Sequence, residues 1–210
     1  MGRMGLKIYL LGQFKLLADE RRIELPSRPA QSLLAYLVLN AGINQRREKL
    51  AALLWPEATD SNARSYLRQA LWRIRKALES ASLSGEDFLQ IRDISVAFNQ
   101  QSDYWLDADI LLQAADEKSL KELTETASLY RGELLPGFYD EWVVLERDRL
   151  ESAYHQKMNL LLEHLIQAEA WDEAIQWSEQ WIKLCHAPEP AFRYLIQAHA
   201  GLGDLSMVST

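Results

Sequence analysis

The sequence predicts a two-domain protein, in which an α+β domain precedes an all-α domain. Two observations indicate this division. Short extended segments surround three helical segments up to residue 102, whereas only helical periodicity follows. The charge also changes along the chain. Residues 1–100 hold 15 Lys and Arg against 10 Asp and Glu, a net charge of +5, and residues 101–210 hold 8 against 20, a net charge of −12. We therefore predict domains at residues 1–102 and 103–210.

The amino-terminal end is predicted to form strands. Leu6, Ile8 and Leu10 alternate with Lys7 and Tyr9, the period of a strand with one buried face. Two further short strands are predicted at residues 14–17 and 22–25, separated by a polar turn at residues 19–20.

Three helices are predicted next. The first begins after Pro26, carries apolar residues at helical spacing and ends at Gly42. The second runs from about Gln45 to Trp55, before Pro56. The third contains the stretch "ARSYLRQALWRIRKAL", residues 63–78, and its start can be capped by Thr59, Asp60 or Ser61. A hairpin follows, with strands at residues 88–91 and 94–98 joined by Arg92 and Asp93.

The third helix has one apolar side, which predicts its core face. This stripe consists of Ala63, Leu67, Ala70, Leu71, Ile74 and Leu78. The opposite side carries Ser65, Arg68, Gln69, Trp72, Arg73 and Lys76, with Arg64 and Arg75 at its edge. Five cations without a carboxylate repel one another, which indicates a polyanionic partner. Because a helix fits the major groove of B-DNA, and this one follows a shorter helix and precedes a hairpin, we predict the recognition helix of a winged helix-turn-helix domain.

We expect two kinds of DNA contact from this helix. Arginine and glutamine side chains can pair with base edges, and flanking cations can neutralise phosphates. The base-reading residues are then Arg68, Gln69 and Arg73, and the phosphate-binding residues are Arg64, Arg75 and Lys76.

Several neighbouring residues have two interpretations. Trp72 either faces the DNA groove or packs under the hairpin, and Arg64 either binds phosphate or pairs with a carboxylate of the second helix. Arg92 is either an ordinary turn residue or a minor-groove contact. Arg46 and Arg47 are either solvent-exposed or bind phosphates, and a cation at a helix start opposes the helix dipole, which favours phosphate.

Beyond residue 107, the helices are predicted to form a tetratricopeptide-like array. The segment "AWDEAIQW" has the small and aromatic positions of such a repeat, and residues 169–174 recur weakly at 203–208. Its tryptophans, at positions 142, 171, 177 and 181, either fill the core or line a protein-binding groove. The loop "GELLPGFYDEW" is expected to close that groove or to buttress the winged helix. The last eight residues resemble the start of a further helix, either in a degenerate repeat or at the front of a longer protein.

Nothing in the sequence predicts an enzyme. Glu151 and His155 lie four residues apart on a predicted helix, but such a pair is usually structural, and no ligand spacing links the histidines to Cys185. No glycine-rich phosphate loop is present. The single cysteine excludes an internal disulfide and fits a reducing compartment. The apolar stretch at residues 33–43 is shorter than the ~18 residues that a membrane span needs. We expect a cytoplasmic protein without catalytic site, metal or cofactor.

The segment "LLWPEATDSNARSYLRQALWRIRKAL" closely resembles the signature of the antibiotic regulatory protein family of bacterial transcriptional activators. The segments "IYLLGQFKL", "LLAYLVLNAG" and "YRGELLPGFYDEWVVLERDRL" resemble the same family in order and spacing, the last as part of its bacterial transcriptional activation domain. Trp72 departs from the usually small or polar residue at its position, and Ser32 from an often basic one.

This resemblance implies a response-regulator-type winged helix followed by a tetratricopeptide-like domain. It also implies an activator that binds repeated double-stranded promoter elements, with pairing of two copies on DNA, and contacts RNA polymerase through residues 56–59. The alternative is a protein-interaction scaffold whose winged helix does not bind DNA. The outward cationic face of the third helix argues against that alternative, because a protein-binding surface does not need it.

Overall fold

The computed structural model describes residues 5–113, 119–186 and 188–203. The chain divides into two units. The first unit holds the described parts of residues 1–10, 14–109 and 137–143, and the second holds those of residues 11–13, 110–136 and 144–210. A short segment from beyond the predicted domain boundary therefore belongs to the first unit.

The first unit begins with a four-stranded sheet. Its strands are β1 (Leu6–Tyr9), β2 (Lys15–Ala18), β3 (Arg21–Ile23) and β7 (Tyr104–Leu106), in the order β3-β2-β1-β7. The alternation seen in the sequence places Leu6 and Ile8 in the core. β1 pairs antiparallel with β2 and parallel with β7, with Leu6 opposite Tyr104. The strand β7 was not among the predicted strands.

Three helices follow the first strands. They are α1 (Arg28–Leu39), α2 (Arg47–Leu54) and α3 (Asp60–Ser80). Pro29 lies in the first turn of α1, where a missing N–H breaks no helical hydrogen bond. Both α1 and α2 pack against α3. The start of α2 was predicted two residues too early, because Gln45 and Arg46 form the short strand β4 instead.

A second sheet contains the predicted hairpin. Its strands are β4 (Gln45–Arg46), β5 (Leu89–Ile91) and β6 (Ser95–Phe98), in the order β4-β6-β5, and the four-residue helix α4 (Gly85–Phe88) precedes β5. The Arg92 amide donates to the Ser95 carbonyl at 2.8 Å, which places Asp93 and Ile94 at the hairpin tip. The predicted tip, Arg92 and Asp93, was one residue too early. We call the hairpin β5–β6 the wing.

Residues 137–143 pack on helix α1 of the first unit. The Arg28 guanidinium lies 4.7 Å above the centre of the Phe138 ring and donates a hydrogen bond to the Gly137 carbonyl. Tyr36 meets Trp142 edge to face, with ring centres 5.2 Å apart. The loop therefore supports the winged helix, as one of the two predictions for it stated. It does so through a cation-π contact and an aromatic contact with α1.

The second unit is built from helices. They are α5 (Asp107–Leu112), α6 (Leu120–Ala127), α7 (Glu141–Gln167), α8 (Trp171–Leu184) and α9 (Glu189–Gly201), and the first three residues of both α5 and α7 belong to the first unit. Ser119 and Glu122 form a capping box at α6, and α8 packs against α9. Residues 204–208 of the weak repeat lie outside the described residues.

No helix among the described residues is both long and apolar enough to cross a membrane.

Candidate nucleic-acid interface

Helix α3 is fixed in the first unit by its apolar stripe. All six residues of the predicted stripe are buried, together with Ala77. The helix start is closed by Thr59, whose side-chain oxygen accepts a hydrogen bond from the Asn62 amide. Because the buried stripe sets the rotation of the helix about its axis, the opposite side must point to solvent.

The outward side of α3 carries the predicted cationic residues. Arg64, Arg68, Gln69, Trp72, Arg73 and Lys76 are exposed, and Ser65 and Arg75 are half-buried. The helical period therefore predicted both faces correctly.

Two clefts lie on this side of the first unit. One, the arginine cleft, has a volume of about 570 Å³ and is lined by Arg46, Arg47, Glu48, Arg64, Leu67, Arg68, Asp93 and Ile94. The other, the wing cleft, has about 360 Å³ and is lined by Arg47, Arg68, Leu71, Trp72, Arg75, Lys76, Glu79 and Ile91. Arg47 and Arg68 line both clefts. The candidate site thus joins the start of α2, the outward side of α3 and the wing.

Several cations of α3 already have partners within the first unit. Arg64 pairs with Glu48 at 3.3 Å, Arg75 with Glu86 at 3.2 Å, and Lys76 with Glu79 at 2.7 Å. The hydrogen bond from Lys76 lowers the pKa of Glu79. Arg73 donates to the Ser27 hydroxyl at 2.8 Å. Because these pairs are solvent-exposed, each is weak, and a phosphate oxygen can replace the carboxylate.

Three other arginines have no side-chain partner among the described residues. They are Arg46, Arg68 and Arg92, and all three are exposed. Arg47 is half-buried and donates to the Arg92 carbonyl at 3.3 Å, which ties the start of α2 to the base of the wing tip. Unpaired guanidinium groups are the ones that gain most from a phosphate or a base edge.

Trp72 is 59% exposed and also lines the wing cleft beside Ile91. It therefore is not packed under the wing, and its contact with a DNA groove stays a prediction. For Arg64, the predicted pairing with a carboxylate of α2 is present, but the pair is exposed.

The second unit contains a cluster that the sequence did not predict. Glu151, His155 and Cys185 place their polar atoms within 4.8 Å of one another. Burial, followed by the charge of Glu151, raises the pKa of the Cys185 thiol to about 12. The cluster joins α7 to the end of α8, 30 residues further along the chain, and no sequence spacing indicates it.

A hydrogen bond from Trp181 opposes metal binding by this cluster. Trp181 donates from Nε1 to Nδ1 of His155 at 2.7 Å, so the imidazole proton lies on Nε2, which is 3.6 Å from Glu151. If Nε2 of His155 bound a metal, the imidazole proton would have to lie on Nδ1. Nδ1 would then face the indole N–H of Trp181, with two donors opposed. The cluster is therefore better explained as internal hydrogen bonding.

The four tryptophans beyond residue 107 differ in burial. Trp142 and Trp181 are buried, and Trp171 and Trp177 are half-buried.

Comparisons with known proteins agree with this architecture. Residues 106–206 match the family model of the bacterial transcriptional activator domain. A solved structure of Mycobacterium tuberculosis EmbR, in complex with a low-affinity phosphopeptide, is similar with a TM-score of 0.76 and 20% sequence identity. The similarity covers 98% of this chain and 56% of the EmbR chain, so this chain spans little more than half of that protein. No curated protein sequence matches significantly.

Two predictions are confirmed by these findings. The fold class is a β-containing winged-helix region followed by an all-helical, repeat-like domain. The resemblance to the family named from the sequence is supported by both the matched domain and the shared fold.

Proposed function

We propose that this chain, a transcription regulator of the antibiotic regulatory protein type, binds specific double-stranded DNA and activates transcription through RNA polymerase. The observation that carries the proposal is the outward side of α3, where exposed Arg68 lines both clefts without a partner of its own. In this proposal α3 lies in the major groove, and the wing contacts the neighbouring backbone or minor groove. The function is binding, without a catalytic step, and its place is the bacterial cytoplasm.

The charge distribution supports DNA as the partner of the first unit. Residues 1–100 carry a net charge of +5, and two of the three arginines without a side-chain partner among the described residues, Arg46 and Arg68, line the same cleft as Arg64 of α3. Residues 101–210 carry −12, which DNA phosphates would repel. The acidic second unit is therefore proposed to contact proteins.

A separate surface of the first unit supports the proposed polymerase contact. Tyr139 is 85% exposed and lies in a cleft of about 700 Å³ with Lys49 and Leu53 of α2 and with Pro56 of the segment that joins α2 to α3. Asp140 and Glu141 form an acidic rim on that cleft. An exposed aromatic ring with an acidic rim fits a basic surface with apolar residues on the partner. The residues lie beside the 56–59 segment that the family resemblance assigns to polymerase contact.

We further propose that two copies pair on DNA. A repeated promoter element places two recognition helices on the same side of the duplex when its repeats are about one helical turn apart. Binding of the second copy would then depend on the spacing of the repeats.

Selection of genomic DNA fragments by the purified chain tests the proposal. We expect enrichment of a repeated element, with affinity that falls steeply as the salt concentration rises. Replacing Arg46, Arg68 and Arg92 together by Gln should abolish enrichment, since these are the unpaired cations of the site. The matched control replaces Arg21, Arg22 and Arg131 by Gln, which removes the same charge from exposed positions elsewhere.

The result also separates the two functions considered. Absence of any enriched fragment, with weak binding that does not change with salt, would overturn the DNA-binding proposal and favour the interaction scaffold. Equal loss of binding in both triple variants would mean that net charge matters and that the site does not.

A further inference from the structure

The centre of the outward side of α3 is a line of four residues. Ser65, Gln69, Trp72 and Lys76 are spaced by four, three and four positions, which at about 100° per residue keeps them within about 60° of arc. Three of the four are polar and one is a large aromatic. Because this line lies opposite the buried stripe, its two middle residues, Gln69 and Trp72, would enter deepest when α3 lies in a groove.

The indole of Trp72 is uncovered within the first unit. It is 59% exposed, and among the described residues it has neither an aromatic nor a cation-π partner. Trp72 lines the wing cleft together with Leu71 and Ile91, and more than half of its surface stays open to solvent. An aromatic ring held open at the centre of a cationic face indicates an apolar group on the partner that it covers on binding.

The major groove offers one such group. Base pairs present hydrogen-bond donors and acceptors there, and thymine alone among the four bases adds a C5-methyl group. The indole has no acceptor and a single N–H donor, so it cannot make the paired hydrogen bonds that Arg68 or Gln69 can make with purines. The flat faces of the bases are stacked within the duplex, so the indole cannot stack on them.

We propose that Trp72 selects operator DNA by covering the C5-methyl group of a thymine in the major groove. This inference rests on the proposed DNA-binding function and names one element of its sequence specificity. Gln69, three residues before Trp72 on the same line, then contacts a neighbouring base pair. The operator therefore contains a required thymine next to the position that Gln69 reads.

Substitution of deoxyuridine for thymine tests the proposal, since it removes the methyl group and changes no hydrogen-bonding atom. In the element enriched by the wild-type chain, each thymine on either strand is replaced in turn. We expect one or two positions at which affinity falls about fourfold, equivalent to about 0.8 kcal/mol for one methyl-sized group. In Trp72→Ala these positions should lose their sensitivity, and Trp72→Phe should keep part of it.

Two controls isolate the indole. Gln69→Ala should weaken operator binding and keep the deoxyuridine sensitivity, because it leaves Trp72 in place. The urea midpoint of Trp72→Ala should stay near that of the wild type, since the ring is mostly exposed.

The possible outcomes test the contact of Trp72 with thymine separately from the proposed DNA binding. Specific binding without a sensitive thymine, or with equal sensitivity in Trp72→Ala, would overturn the methyl contact and leave the DNA-binding proposal intact. Equal weakening of Trp72→Ala on operator and random DNA would assign the ring to the DNA backbone and overturn the inference. Failure of the wild-type chain to enrich any fragment would overturn both.

Discussion

Nη2 of Arg64 on α3 lies 3.3 Å from Oε1 of Glu48 on α2. Both side chains are exposed, by 56% and 78%, so the pair adds little to the stability of the fold. The Glu48 carboxylate lines the arginine cleft, so in the proposed DNA complex it would compete there with phosphate oxygens for Arg64.

The first prediction concerns this carboxylate. Glu48→Gln should tighten binding to operator and random DNA alike, by a factor of about 1.5 to 5, since an exposed ion pair contributes about 0.2–1 kcal/mol. Affinity measured at several salt concentrations tests this. Glu125→Gln removes the same charge from the second unit and serves as the control. Weaker binding of Glu48→Gln would mean that Glu48 instead orients Arg64 for its contact.

The second prediction separates base contacts from phosphate contacts. Arg68 is unpaired at the junction of the two clefts, and Arg68→Ala should cost about 1–3 kcal/mol, concentrated at one operator position. Lys76 pairs with Glu79, and Lys76→Ala should weaken all DNA alike and reduce the salt slope by about 1. Affinities for a set of singly substituted operators measure both effects. Identical profiles for the two variants would refute this division of roles.

The third prediction concerns the cluster around Cys185. Trp181→Phe removes the indole donor, so Nδ1 of His155 can carry the proton and Nε2 becomes free to bind a metal with Glu151 and Cys185. We expect Zn²⁺ to raise the melting temperature of Trp181→Phe and not that of the wild type. At a concentration of 100 times its Kd, the ion would contribute about 2.7 kcal/mol.

The matched control for this experiment is the double variant that also carries Cys185→Ser. It should lose the stabilisation by zinc, because the thiolate is the strongest ligand of the three. Equal stabilisation of the wild type and Trp181→Phe would show that the indole hydrogen bond does not block the site.

The fourth prediction is a loss of stability at alkaline pH. The pKa of Cys185 rises from 9.0 to about 12 on folding, first because of burial. The thiol therefore ionises at a lower pH in the unfolded chain than in the folded one. The stability that the buried thiol supplies is complete below pH 9 and is lost between pH 9 and about 12. Burial also raises the pKa values of Tyr130 and Tyr154, which acts in the same direction.

Urea unfolding at pH 8 and at pH 10.5 measures this loss. Cys185→Ala should reduce the difference between the two free energies of unfolding, by at most about 1.4 kcal/mol for each pH unit. An unchanged difference in Cys185→Ala would assign the effect to the tyrosines.

The parts of the fold that depend on local periodicity were predictable from the sequence. The core and outward faces of α3 follow from a period of 3.6 residues, and its burial agrees residue by residue. The strands β4 and β7 were not predicted, because both are short and their hydrogen bonds go to distant segments. Gln45 pairs with Val96, and Tyr104 pairs with Leu6. Such pairing depends on the tertiary fold and leaves little local pattern.

The composition of the candidate site was predictable, but its internal pairing was not. The sequence places the cations on one side of α3 and offers a carboxylate of α2 as one alternative partner of Arg64, but it does not indicate that Arg75 pairs with Glu86 of α4. Side-chain conformations across tertiary contacts decide those pairs. The same holds for Cys185, which reaches Glu151 only after α8 folds back on α7.

The parallel pairing of β1 with β7 has a practical consequence for dividing this protein. A fragment that ends at Ser102 contains all the residues of α3 and the wing, but it lacks Tyr104–Leu106 and so leaves β1 with an open, unpaired edge. Open edges favour the association of one molecule with another. Such a fragment would present the four-residue strand β1 as its edge in place of the three-residue strand β7, so we expect it to self-associate more readily than one extended past β7.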